Sequence, residues 1–193
     1  MKKIFAVLYF VFCAAILFYV SLPTFNFPAP PPGAVQSKEP ADTETPLRRA
    51  YFTDQTRAQV LEWYGSQFKH STFHNIPLPT FLLNYPPEDA QTIIRDQTRS
   101  TFLQEFVHPF RETLFINGYE PAPTDNENRI VIDGVHYRQK IIVRYIPNSV
   151  LVRILISALT LAAIPVMYFA FLPEFSFLKS IFGRKKKHFQ DPV

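Results

Sequence analysis

Hydrophobic and polar positions follow two regimes along this chain. From Ile4 to Val20 (IFAVLYFVFCAAILFYV) seventeen residues pass without a charge, and from Val150 to Leu172 (VLVRILISALTLAAIPVMYFAFL) twenty-three carry one, Arg153. A helix needs about 20 residues to cross a hydrocarbon core about 30 Å thick. The second run is long enough, and the first becomes so with Ser21 and Leu22. Both are expected to span a membrane. Arg153 lies within a turn of its helix end, where its stem is expected to snorkel toward the headgroups. Pro165 is expected to bend the second span, which membrane helices tolerate.

Between the runs the periods are those of a folded domain. Arg49–Phe52 reads as a short strand. Thr53 or Asp54 then offers a cap for a helix whose Val60, Leu61, Tyr64 and Phe68 share one face and which stops near His70. Pro77 and Pro79 restrict PTFLLNY to a brief strand at a sheet edge, where a missing N–H is tolerated. Pro86 and Pro87 followed by Glu88 and Asp89 open a second helix, with proline at its first position and acids in its first turn. That helix is expected to reach about Val107, because Pro109 disfavours helix just before it. Phe110–Tyr119 alternates as a strand with a turn or bulge at Asn117-Gly118, and PAPTDNEN is a loop. RIVIDGVHYRQKIIVRYI reads as a hairpin, Arg129–Ile132 against Val135–Ile146, joined at Asp133-Gly134. The expected fold is α+β: two helices packed on a mostly antiparallel four- or five-stranded sheet, flanked by the two spans.

Seven prolines fall between Pro23 and Pro46, with almost no apolar periodicity. This stretch reads as a solvated, partly polyproline spacer. The expected organisation is therefore 1–22 cytoplasmic start and span, 23–46 linker, 47–148 α+β domain, 149–172 second span and 173–193 basic tail. The first run has the basic start of a signal peptide, but its core exceeds the usual 7–15 residues and no small-x-small site follows. It is read as an uncleaved signal anchor, with a cleaved signal as the alternative.

Charge orients the molecule. Lys2 and Lys3 precede the first run; Lys179, Arg184, Lys185, Lys186 and Lys187 follow the second. Bases near span ends stay on the cytoplasmic side, so both tails are expected inside and the domain outside. Arg184, Lys185, Lys186 and Lys187 are expected to contact lipid headgroups, through a short interfacial helix or a plain stop-transfer tail. The sequence pI of about 9.2 does not imply nucleic acid. Between the runs 12 Lys and Arg stand against 14 Asp and Glu, a net of −2, whereas nucleic-acid recognition needs a basic stripe on the folded face. The single cysteine, Cys13, lies in the first run, so no disulfide staples the domain.

Candidate chemistry is sparse. The five glycines are scattered, without a phosphate loop or a G-x-S-x-G elbow. His70 and His74 have zinc spacing but no clear third ligand, and no metal or other cofactor is expected. Asp96, Ser100 and His108 contain the elements of a hydrolase triad without oxyanion donors, so no catalytic set is assigned. The tetrapeptide DQTR occurs at 54–57 and 96–99, and the ungapped alignment continues as FKHSTFHN opposite FRETLFIN. A duplicated helix–strand unit with a 42-residue offset competes here with shared helix chemistry. In the second copy, helical spacing turns Gln97 and Thr101 toward the side that should be buried, giving either a satisfied buried network or a cleft. Arg95, Asp96, Gln97, Arg99, Thr101 and His108 are the candidate binding residues. An exposed subset of the many aromatics is a second candidate surface.

The function expected on these grounds is a non-catalytic extracytoplasmic interaction domain, a scaffold or assembly component of the bacterial envelope. Its partners would be membrane lipid and another envelope protein or a further copy. One alternative is a membrane-tethered enzyme acting on an envelope substrate around Asp96, Arg99 and His108. The other is a ligand-binding sensor subunit, disfavoured by short cytoplasmic tails.

Overall fold

The computed structural model describes residues 2–86, 101–122 and 124–187, with side chains from residue 3 to residue 172 of these. In chain order the elements are α1 (Lys2–Ser21), β1 (Val35–Gln36), β2 (Arg48–Thr53), α2 (Arg57–Phe68), β3 (Phe81–Tyr85) and β4 (Phe102–Val107). There follow β5 (Thr113–Tyr119), β6 (Ile130–Ile132), β7 (Val135–Tyr137), β8 (Gln139–Ile146) and α3 (Val150–Lys187). The chain divides into two units, Met1–Val20 with Leu151–Val193, and Ser21–Val150.

In the first unit α1 and α3 each carry a stretch long and apolar enough to cross a membrane, Lys3–Ser21 and Val150–Leu172. The Tyr9 hydroxyl donates to the Leu161 carbonyl. Helix α3 continues through Pro165 and Pro173 to Lys187, so the basic run extends the span helix instead of forming a separate one. Arg153 is buried within the chain, 2 % exposed.

The second unit is built on a six-stranded antiparallel sheet in the order β1-β2-β8-β5-β4-β3, with β6 and β7 forming a separate ribbon. Six strands replace the expected four or five. One addition is β1, drawn from the proline-rich stretch. The other is β4, which occupies the end of the expected second helix; the rest of that helix, residues 87–100, lies outside the described residues. Phe102, Leu103, Gln104 and Phe106 are all buried in β4. A strand covered on both faces loses its period of two and cannot be told from helix by pattern. The predicted edge strand is β3, and Asp133-Gly134 turns the β6–β7 ribbon with both residues at positive φ.

Helix α2 starts two or three residues later than expected. Thr56 is its cap, accepting from the Gln59 N–H while the Gln59 side chain accepts from the Thr56 N–H, a reciprocal capping box. Asp54 instead accepts from the Arg138 N–H. Val60, Tyr64 and Phe68 bury one face of α2 against Tyr51, Phe102, Phe106, Leu114, Ile116 and β8. Gly118 is no turn or bulge. It lies within β5 opposite Phe102, and a Cβ there would overlap the Phe102 ring.

The proline-rich stretch is no spacer. It crosses α2 and joins the sheet. The Trp63 indole donates to the Ala29 carbonyl at 3.0 Å, the Ala29 N–H donates to Gln67 at 2.9 Å, and Phe25 packs edge-on to Phe68. Val35 and Gln36 then pair with Phe52 and Tyr51. Lys140 closes the strap through Glu39 at 2.8 Å and Asp42 at 2.7 Å. A polyproline segment has no internal hydrogen bonds, so side chains more than thirty residues away supply them, and local sequence cannot reveal that.

The repeated tetrapeptide is not a duplicated unit. At the 42-residue offset, helical residues 60–65 fall on strand residues 102–107.

Candidate functional site

The sheet has two chemically distinct ends. At the first, which we call the exit end, the domain's own termini leave. The β4–β5 turn here holds a buried charge cluster in which His108, Arg111 and Glu112 are 1, 4 and 2 % exposed. The Arg111 guanidinium donates to Glu112 Oε1 at 2.9 Å and to the carbonyls of Leu22 at 3.3 Å and Pro23 at 2.9 Å. His108 Nδ1 lies 3.0 Å from Glu112 Oε1, its Nε2 lies 3.1 Å from Thr80 Oγ1, and its ring stacks on Phe68 at 3.9 Å. Burial opposes ionisation of Glu112, but the His108 hydrogen bond and the Arg111 charge outweigh it and hold the carboxyl below its ordinary 4.5.

Thr80, His108 and Glu112 thus stand in the order hydroxyl, imidazole, carboxylate. A nucleophile so arranged needs a path for substrate and oxyanion donors beside it. Instead the imidazole is sealed under Phe68, and the Thr80 hydroxyl is spent on the Leu78 carbonyl at 3.0 Å. The cluster's geometry is that of a clamp on the first residues after α1.

At the tip of the same turn Phe110 adopts φ 63° and is 79 % exposed. Left-handed backbone costs a β-carbon-bearing residue about 1–2 kcal/mol, and an exposed ring recovers none of that from the domain's core.

Strand β3 is the outer edge. Its far residues are fastened inward: Asn84 accepts from Arg57 at 2.7 Å and from Gln104 at 3.0 Å, and the Tyr85 hydroxyl donates to Glu105. That hydrogen bond, with burial and the carboxylate charge behind it, pushes Tyr85 up to about 12. Leu82 and Leu83 remain 49 and 45 % exposed on opposite faces. Among the described residues no strand pairs with the outer edge of β3.

At the far end a groove of about 640 Å³ is lined by Glu120, Pro121, Ala122, Arg129, His136 and Arg138. Arg138 pairs with Glu120 at 2.7 Å, leaving an excess of basic groups that suits a small anion. All three basic side chains are exposed, so salt screens them.

Comparison with protein-family models, curated proteins and solved structures finds no match.

Of the residues expected to bind, Arg95, Asp96, Gln97 and Arg99 lie outside the described residues. Thr101 spends its hydroxyl on the end of β5, donating to the Gly118 carbonyl at 2.8 Å and accepting from the Glu120 N–H at 3.2 Å. His108 is not on an open polar face; it is interior. Arg184, Lys185, Lys186 and Lys187 end α3, and their side chains are not among those described. No three His, Cys, Asp or Glu side chains gather as metal ligands among the described residues. Sequence reasoning missed Thr80, Arg111 and Glu112. The spacing of His108 and Glu112, four apart in HPFRE, was the only available sign, and it carries no meaning until a turn brings the two together.

Proposed function

We propose that this chain is a two-span envelope protein whose α+β domain is a non-catalytic docking module on the extracytoplasmic side, with the basic flanks of both spans in the cytoplasm. The observation that carries this reading is the outer edge of β3, with which no strand pairs among the described residues. An unpaired edge offers a row of N–H and C=O groups to an incoming strand, and β-strand addition is a recurring mode of recognition. Leu82 and Leu83 border that edge, one on each face. Covering both would release about 3 kcal/mol before the costs of association. The partner is a strand of another envelope protein, or the same strand of a second copy. The inward fastening of Asn84 and Tyr85 keeps β3 in place while its outer edge stays available.

A photo-crosslinking residue at Leu83 in the full chain, expressed in its native host, tests this. Discrete adducts of fixed mass are expected, and they should vanish when Leu82→Lys is added. A crosslinker at Leu83 that yields no adduct, or adducts indifferent to that charge, overturns the reading.

The tethered-enzyme reading draws on the Thr80–His108–Glu112 order. Hydrolysis of a model ester by the purified full chain, abolished by Thr80→Val, would establish it over the docking module.

A further inference from the structure

Both ends of the domain leave it on one side, and that side is apolar. Arg111 holds the carbonyls of Leu22 and Pro23, the residues that follow α1 directly. Strand β8 ends at Ile146 opposite Thr113, and three residues separate it from the start of α3 at Val150. The four steps of that link reach at most about 14 Å. If α1 and α3 cross a bilayer, the exit end of the sheet is tied on two short leads to its surface.

The side chains at that end match such a position. The terminal row of the sheet runs Phe81, Val107, Thr113, Ile146 across four strands, without a charge. Phe81 and Ile146 are 57 and 42 % exposed. Beyond the row projects Phe110, the most exposed aromatic of the turn, while its charged neighbours Arg111 and Glu112 are turned inward and paired. In water this arrangement is inside out. An aromatic ring belongs at the boundary of headgroups and acyl chains, where its burial is favourable. Exposed Lys69 follows Phe68, whose ring stacks on His108 of the same turn, and adds a cation suited to phosphate headgroups.

We propose that Phe110 and the row Phe81–Ile146 seat the domain on the bilayer, the Phe110 ring entering the headgroup–acyl boundary. The domain then lies flush with the membrane and is not displayed at the end of a tether. The leads favour lipid over a protein occupant, because a partner at this end would have to fit between the turn and the bilayer surface. The inference rests on the two-span reading but not on which side of the membrane the domain occupies.

The test uses the full chain in vesicles of phosphatidylethanolamine and phosphatidylglycerol, with lipids spin-labelled near the headgroup to read position 110 and at the acyl-chain end to read Cys13. In a Cys13→Ala background, Phe110→Cys carries an environment-sensitive fluorophore. Blue-shifted emission quenched by about half is expected, with no quenching from Val131→Cys on the far ribbon. Native Cys13, labelled in its own span, reports the spans independently. Quenching at Cys13 but not at position 110 overturns the seating and leaves the spans standing. Absence of quenching at both removes the spans and the proposal with them. A shielded but unquenched probe at position 110 means that protein covers the turn, and also overturns it. Should Phe110→Cys fail to fold, Phe81→Cys reads the same row against the same criteria.

Discussion

The two ends of this sheet invert each other. At the exit end His108, Arg111 and Glu112 are buried and Phe110 stands out; at the far end Tyr137 is buried beside Phe52, while Arg129, His136 and Arg138 stand out. Each arrangement has its own energetics. Exposed pairs such as Arg138–Glu120 are screened by solvent and contribute little. Buried charges are tolerated only when fully paired, and losing one partner strands the other. The contrast teaches that one small domain buries and pairs its charged groups at the exit end and leaves them in solvent at the far end.

The largest expected effect comes from breaking the buried side. Glu112→Ala leaves Arg111 and His108 without their shared carboxylate and should cost about 3–5 kcal/mol, read from denaturant unfolding of the full chain in detergent with Trp63 as the probe. A loss below about 1 kcal/mol would mean that the exit end is solvated like the far end.

Acid should act on the same cluster. The carboxyl of Glu112 is held below its ordinary 4.5 in the fold, so its contribution is fully present above that value and is lost as pH falls through the lowered one. A plot of unfolding free energy against pH should therefore slope downward below about 4.5, and Glu112→Gln should flatten that slope. An unchanged slope in the variant would assign acid sensitivity elsewhere.

Phe110→Gly sharpens the comparison from the other direction. It removes left-handed strain and no core contact, so the domain should gain about 1 kcal/mol. A loss would show that burial of the ring, in the fold or in the micelle, outweighs the strain. Glu120→Ala should move stability by less than about 1 kcal/mol and by still less at high salt. The smallest effect belongs to Leu83→Lys at the open edge, within about 0.5 kcal/mol as judged by the same unfolding curves.

Much of the architecture was readable from local pattern. The two apolar runs, the Val60–Tyr64–Phe68 face, the proline-restricted edge strand and the Asp133-Gly134 turn all follow from signals that a few neighbouring residues carry. The errors share one cause. Strand β4 was read as helix because neighbours on both sides cover it and erase its alternation. Local pattern makes the strap a spacer because its hydrogen bonds come from Trp63 and Gln67. Of the proposed binding residues, Thr101 is exposed and hydrogen-bonded to the end of β5, and His108 is interior. The clamp that matters at the exit end joins Thr80, His108, Arg111 and Glu112 to Leu22 and Pro23, and these converge only through the register of β3, β4 and β5.

By itself the sequence determined that two stretches are apolar enough to leave water, where bases flank them, and that an α+β domain lies between. Hydropathy and charge are properties of contiguous residues, so they survive without a fold. Which charges are buried, which ring is exposed and which strand lies at the sheet's edge among the described residues were decided only by tertiary structure. Each depends on pairing between residues far apart in the chain, where one step of register moves a side chain from one face of the sheet to the other.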